Sequence, residues 1–267
     1  MAKLLAVTIL VIAAVSAIPI EEHIWTAPAD ISTHGPLIDS QMSDTMGETG
    51  LCFLAGQFVL ALFIWMYSER GREHRIGRFP GGATGLVIAA FLIVGTEVIA
   101  LGVLGSKAWA QVYFAPLKPG AMTVEAQAGQ FAFYFRYPGP DGKFGPIHPE
   151  MISDATENFY GLDTQNDPAS KDDIVTAEMA IPVDREIQLW MHSKDLGHSF
   201  YVPALRIQQD FVPGLDLSIH FTANKIGKYE IVCTQLCGLG HYNMKAYLEV
   251  MSRQDFDAWL KQQAALQ

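Results

Sequence analysis

The sequence is poor in cysteine, in charge and in basic residues. Three cysteines in 267 residues are too few for a disulfide scaffold, and Cys52 sits inside an apolar run. Only 17% of the residues are charged, and 18 Lys and Arg stand against 28 Asp and Glu, a net charge of −10. That balance argues against a nucleic-acid partner. No repeat or low-complexity tract is present. What the chain does have is apolar surface: 50% of it is hydrophobic, with a mean hydropathy of +0.18. A disordered tail is excluded. High hydropathy with little charge fits a membrane anchor joined to a soluble domain.

Three apolar stretches occupy the first 110 residues. Residues 4–18 follow Lys3 and end at Val15-Ser16-Ala17, so residues 1–17 read as a signal peptide or a first apolar helix. Residues 18–50 then form an N-terminal segment outside the membrane. Leu51–Tyr67 and Thr84–Leu104 are runs of 17 and 21 residues, about 26 and 32 Å of helix against a hydrocarbon core of about 30 Å. Residues 51–110 therefore read as a two-helix transmembrane hairpin. Its connection carries Arg70, Arg72, Arg75 and Arg78, which puts that loop in the cytoplasm and everything after about residue 110 on the outer side. Glu97 interrupts the second run. A carboxylate at mid-membrane costs about 2.5–3.5 kcal/mol, whereas the twelve Leu, Ile, Val and Phe residues of the run return about 4–7 kcal/mol. The helix inserts, with Glu97 facing protein or water, as a packing residue or as part of a proton pathway.

From Thr123 onward, short β-like runs alternate with turns. The candidates are 123–137, 174–180, 186–191, 199–202, 216–222, 228–233 and 245–251, punctuated by Pro138-Gly139-Pro140, Asp141-Gly142, Pro213-Gly214 and Ile226-Gly227. This predicts an all-β domain over 111–252, an antiparallel sandwich or barrel. A terminal helix follows within 253–267, capped by Ser252, with Asp255 at the box position and Phe256, Trp259 and Leu260 on one face. Residues 137–186 hold seven Asp and four Glu against Lys143, Lys171 and Arg185. This acidic insertion is either a solvated loop or a surface that steers a basic partner.

The stretch with chemistry in it is Cys233-Thr-Gln-Leu-Cys237-Gly-Leu-Gly-His241-Tyr-Asn-Met244. Two thiolates, an imidazole and a thioether within one loop suit copper. Two thiolates can bridge two copper ions, each of which then needs one histidine, with Met244 and a backbone carbonyl between the cysteines as weaker axial donors. His198, opening a strand-like run, is the candidate second histidine. A Cys233–Cys237 disulfide, a zinc site and a core role for His198 are the competing readings. None of the three gives all four residues of the loop a purpose.

On these residues the chain resembles subunit II of the haem–copper respiratory oxidases, the cytochrome c oxidases. The likeness covers nearly the whole chain: a signal-like start, a helix hairpin, and a β domain with Cys-x3-Cys-x3-His-x2-Met. Ser193, Asp195, His198-Ser199, Val202-Pro203, Asp210 and Pro213-Gly214 match the family's second signature. The resemblance implies a periplasmic cupredoxin-like Greek-key domain carrying the dinuclear copper centre CuA. Cys233 and Cys237 would bridge the ions, His198 and His241 ligate them, Met244 lie axially and Gln235 donate its carbonyl.

The family's function implies electron acceptance from cytochrome c or a similar periplasmic donor. Delivery would be to haem in subunit I, with oxygen reduced to water and protons translocated across the inner membrane. Glu97 resembles the glutamate that helps admit protons to subunit I. Phe131 and Phe133, in Gln130-Phe-Ala-Phe-Tyr-Phe-Arg-Tyr137, occupy the place of the segment through which electrons arrive, Phe131 standing where the family usually has tryptophan. Two departures stand out. Gln235 replaces a glutamate that binds magnesium at the subunit I boundary, which withdraws the usual basis for that ion, and Leu215 replaces an arginine. The sequence pattern is more like the B-type oxidases, which usually carry a single helix. A nitric oxide reductase with the same copper domain and a membrane-tethered copper carrier are the alternative functions.

Overall fold

In a computed structural model of the chain, residues 1–21, 27–67 and 83–266 are described. The arginine-bearing connection within 68–82 lies outside them. The chain divides into two compact units, Met1–Thr26 with Leu37–Trp109, and Ala27–Pro36 with Ala110–Gln267.

The first unit is helical. Helix α1 is Ala2–Glu21, α2 is Gly35–Tyr67 and α3 is Ala83–Tyr113. Both long helices outrun the apolar stretches that announce them. The polar segment from Gly35 to Gly50 contains no proline after Pro36, so nothing stops helical hydrogen bonding before the apolar run begins. Likewise α3 continues through Ser106-Lys-Ala-Trp-Ala-Gln until Pro116 is near. Both are long and apolar enough to cross a membrane, and their side chains are almost wholly exposed. The Lys3 ammonium of α1 sits 5.1 Å from the Trp65 ring of α2.

The second unit is an all-β sandwich of two five-stranded sheets. One sheet has the order β3 (Ile174–Thr176), β2 (Ala132–Tyr137), β1 (Met122–Gly129), β5 (Glu186–Ser193), β8 (Leu217–Thr222). The other runs β4 (Met179–Pro182), β10 (Lys245–Met251), β9 (Gly227–Val232), β6 (His198–Val202), β7 (Ile207–Phe211). Period-two alternation builds the core between them. Val124, Ala126 and Ala128 of β1, Phe133, Phe135 and Tyr137 of β2, and Ile187, Leu189 and Met191 of β5 are buried against Phe200, Phe211, Ile231 and Leu248. Each large side chain so buried stabilises the fold by about 1.5–3 kcal/mol. Across the sheets Phe133 meets Phe211 at 5.9 Å, and the Tyr137 hydroxyl donates to the Ala180 carbonyl at 3.0 Å.

Several details depart from the pattern-based reading. The run 123–137 is two strands, because the chain reverses at Gln130-Phe131 to form the β1–β2 hairpin. The run 174–180 splits between the sheets as β3 and β4. Two pairs, β1 with β5 and β4 with β10, are parallel, so the sandwich is not purely antiparallel. Strand β7, on a sheet edge, carries no clear sequence signal, since Gln209 takes the inward position between Ile207 and Phe211. The terminal helix α5, Arg253–Ala264, starts as its cap residues predict: Ser252 Oγ accepts from the Asp255 amide at 3.1 Å. Phe256 and Trp259 lie against Tyr137.

Much of the acidic insertion's charge is spent internally. Asp173 is buried on the fully buried Arg136, which also holds Glu125 at 3.0 Å and the Gly145 carbonyl. Glu186 meets His220 at 3.1 Å, Glu178 meets Lys228 at 2.9 Å, and Asp167 caps the short helix α4, Pro168–Asp172. A second attachment comes from the N-terminal side. Segment 27–36 is stitched to the sandwich by Ile31 N–H to the Ala204 carbonyl (2.9 Å), Thr33 N–H to Thr222 (3.1 Å) and Asn224 N–H to Ile31 (2.7 Å).

Candidate metal centre

Strands β9 and β10 are antiparallel neighbours with Val232 opposite Lys245. Residues 233–244 are therefore the loop that joins them, and Cys233 N–H donates to the Met244 carbonyl at 3.1 Å to close its base. Within this loop Cys233 Sγ and Cys237 Sγ stand 3.9 Å apart. Cys237 Sγ lies 3.7 Å from His241 Nδ1 and 3.7 Å from Met244 Sδ. The carbonyl of Gln235 is 3.2 Å from Cys233 Sγ. His241 opens a single 3-10 turn, His241–Asn243, that delivers Met244 back to β10.

His198 comes from the next strand. Tyr201 of β6 pairs with Val232 of β9, so the start of β6 lies beside the loop. His198, Cys233 and Cys237 offer ligand atoms all within 4.8 Å of one another. The structure thus gathers His198, Cys233, Gln235, Cys237, His241 and Met244 in one place. His198, Cys237 and Met244 are almost completely buried, and Cys233 nearly so.

Two observations bear on whether a metal fits. His198 Nδ1 is buried and has no hydrogen-bond partner, while Nε2 donates to Asp195 Oδ1 at 2.7 Å. His34, His192 and His220 also carry an unpaired buried ring nitrogen, but at His198 two cysteine thiols lie within reach, which is what a metal ligand requires. The two thiols are unbonded, and burial, reinforced by the neighbouring Cys233, pushes the Cys237 thiol up to about 11. Any metal taken up must displace that proton. Soft sulfur donors with imidazole favour copper over the harder divalent ions, so the donor set fits.

Asp195 and Gln130 also belong to the site, though the sequence assigned neither a role. Burial opposes ionisation of Asp195, but hydrogen bonds from His198, Gln130 and Leu196 outweigh it and hold its carboxyl below the usual carboxylate range. An acid three residues before His198 was the available signal for Asp195. For Gln130 there was none.

Phe131 and Phe133 have different fates. Phe131 is 40% exposed, and its ring covers Gly238 and Gly240 of the β9–β10 loop. Phe133 is core and presents no surface to a donor. Beside Phe131 a small cavity of about 90 Å³ is lined by Gln130, Tyr134, Phe159, Asp154 and Lys194. The acidic insertion thus reaches the aromatic turn. Glu97 lies on α3, in the helical unit.

Comparison with known proteins agrees in kind. The model of the family "Cytochrome C oxidase subunit II, periplasmic domain" matches residues 159–251. An alternative cytochrome c oxidase subunit 2 of Bradyrhizobium diazoefficiens is 30% identical over 249 residues, covering 90% of this chain and 84% of that protein. Cytochrome c oxidase subunit 2 of Thermostichus vulcanus is 28% identical over 269 residues, 91% of this chain and 80% of its own. A crystal structure of the periplasmic domain of subunit II of cytochrome oxidase from Bradyrhizobium japonicum is 25% identical. It covers 55% of this chain and 96% of its own, with a TM-score of 0.40.

Proposed function

The chain belongs to the cytochrome c oxidase subunit II family, and from that premise we propose that it is the electron-accepting subunit of a terminal respiratory oxidase. Its β domain receives single electrons from a periplasmic donor such as cytochrome c and hands them to haem in subunit I, where oxygen is reduced to water with proton translocation. The observation that carries this reading is the convergence of buried sulfur and imidazole donors on the unpartnered His198 Nδ1.

The residues that would hold a copper pair are Cys233 and Cys237 as bridging thiolates, His198 and His241 as imidazole ligands, Met244 as thioether and Gln235 through its carbonyl. Such a pair, when bound, supplies reversible one-electron redox chemistry. The protein's part is to keep the donors in place and dry. Strands β6, β9 and β10 hold both ends of the ligand set rigid, which limits the rearrangement a change of charge can cause. Burial of Cys237 and Met244 keeps water from the sulfur atoms. Phe131 and the acidic insertion beside it, in which Asp154 is ion-paired with Lys194 and Glu157 is exposed, mark the face a basic donor would meet. Glu97, on a membrane-crossing helix of the inner-membrane subunit, would serve proton admission to subunit I. Magnesium is not part of this reading, because Gln235 offers no carboxylate. The burial of His198, Cys233, Cys237 and Met244 disfavours a carrier that must release copper readily.

The test is copper per chain with an electron paramagnetic resonance spectrum on the full-length protein in detergent. Segment 27–36 is stitched into the sandwich, so a fragment starting near residue 111 would lack part of its support. Two coppers sharing one unpaired electron are expected. One copper, or zinc, overturns the assignment.

A further inference from the structure

We propose that Asp195 and Gln130 are positioning residues that clamp both halves of the metal centre to one turn, the β1–β2 turn that carries Phe131. The inference rests on the copper reading above and adds residues to it.

The clamp has two arms. The first runs through Asp195. Its Oδ1 accepts from His198 Nε2 at 2.7 Å and from the Leu196 amide at 2.6 Å, and its Oδ2 accepts from the Gln130 amide at 2.8 Å. One carboxylate therefore ties the ligand histidine of β6 to the β1–β2 turn. The second arm is the side chain of Gln130, whose Nε2 donates to the Cys237 carbonyl at 2.6 Å. The same turn residue thus holds the backbone of one of the two cysteines that would hold the copper pair. The residues joined are 65 and 107 positions apart, so these bonds set relations that no local turn could. Phe131 adds a third contact, its ring lying over Gly238 and Gly240 on either side of Leu239.

The chemistry follows from the geometry. A charged acceptor on Nε2 fixes the ring's orientation and tautomer, leaving Nδ1 free to ligate. A donor on the Cys237 carbonyl fixes the loop between the two cysteines. Because both arms meet at Gln130, His198 and Cys237 keep their separation before any metal arrives, and contact on the exposed Phe131 reaches both ligands.

The test uses the full chain in detergent, with Asp195→Ala, Asp195→Asn and Gln130→Glu. Gln130→Glu replaces the donor on the Cys237 carbonyl with an acceptor of nearly the same size. In the metal-free protein, amide hydrogen exchange at Gln130 and Leu196 should quicken at least tenfold in Asp195→Ala. In the copper-loaded protein, Asp195→Ala and Gln130→Glu should release copper to a chelator about ten to a hundred times faster, the usual cost of losing an outer partner of a ligand. Their hyperfine pattern should change as well. Asp195→Asn, which keeps an oxygen in place, should recover part of the loss. Parental release rates and spectra in both Asp195→Ala and Gln130→Glu, in a protein whose parent holds two coppers, would overturn the clamp. If the parent binds no copper pair, the copper reading falls, and unchanged amide exchange in Asp195→Ala would sink the clamp independently.

Discussion

The ring of Phe131 lies directly on the backbone of Gly240: a Cβ built on that glycine would stand 2.5 Å from Phe131 Cδ2 and 2.6 Å from Cγ. Separations this short leave no room for a side chain, so Gly240→Ala must drive the ring off the metal loop. The substitution should cost about 1–3 kcal/mol, the usual price of overfilling a packed site, read as a lower midpoint of thermal unfolding. Phe131→Ala combined with Gly240→Ala should lose less than the two single changes together. Strict additivity would mean the contact carries no energy.

Metal removal gives a second expectation. A copper pair bound only by the folded state stabilises it by mass action, so chelation should lower the unfolding midpoint of the parent. Cys237→Ser should abolish the shared-electron signal and make the midpoint insensitive to chelator. A variant that still carries two coupled coppers would remove Cys237 from the ligand set.

Arg136 is the largest fully buried side chain of the sandwich, and it faces Glu125 and Asp173. Arg136→Met leaves two buried carboxyls without their cation and should cost about 3–5 kcal/mol in denaturant unfolding. Burial already holds the Glu125 carboxyl above its ordinary range, against the pull of Arg136. A loss below 1 kcal/mol would show the network to be dispensable.

Segment 27–36 makes stability depend on pH. Burial holds the His34 imidazole below its ordinary 6.5, outweighing a hydrogen bond to the Leu205 backbone and the charge of Asp30. The unfolded chain therefore takes up this proton first as the pH falls. Stability is retained above 6.5 and declines below it, until the folded form protonates in turn. In thermal unfolding between pH 8 and pH 5, His34→Gln should show a shallower decline than the parent. Equal slopes would exclude His34 as a contributor.

Charge at the donor face gives the last expectation. Asp154 lines the cavity beside Phe131. Reversing Asp154, Glu157 and Asp163 together should slow oxidation of a lysine-rich cytochrome c at low salt, with the difference shrinking as ionic strength rises. An unchanged rate at low salt would show that the acidic insertion does not steer the donor.

The ligand loop was legible because its chemistry is local. Cys233, Cys237, His241 and Met244 fall within twelve residues, and softness and spacing together narrow the metal without any fold. The apolar helices were legible by length, and α5 by its cap. Where the reading failed, the signal was weak for a physical reason. Strand β7 is an edge whose inward register is broken by Gln209 between Ile207 and Phe211, and Gln130-Phe131 turns the β1–β2 hairpin without a proline or asparagine to announce it. The split of 174–180 into β3 and β4 depends on which sheet each half can join, a choice absent from local pattern.

Composition, periodicity and the cysteine loop by themselves determined that this chain has two long apolar helices, a β domain and a loop of sulfur and imidazole groups that could hold a metal. Only the tertiary structure decided that Asp195 holds His198, that Gln130 holds Cys237, and that Phe131 rather than Phe133 meets the surface. The reason is that such contacts are made between strands, and strand neighbours are set by sheet order. His198 stands beside Cys233, 35 residues away, because β6 pairs with β9, and nothing in either segment alone specifies that pairing.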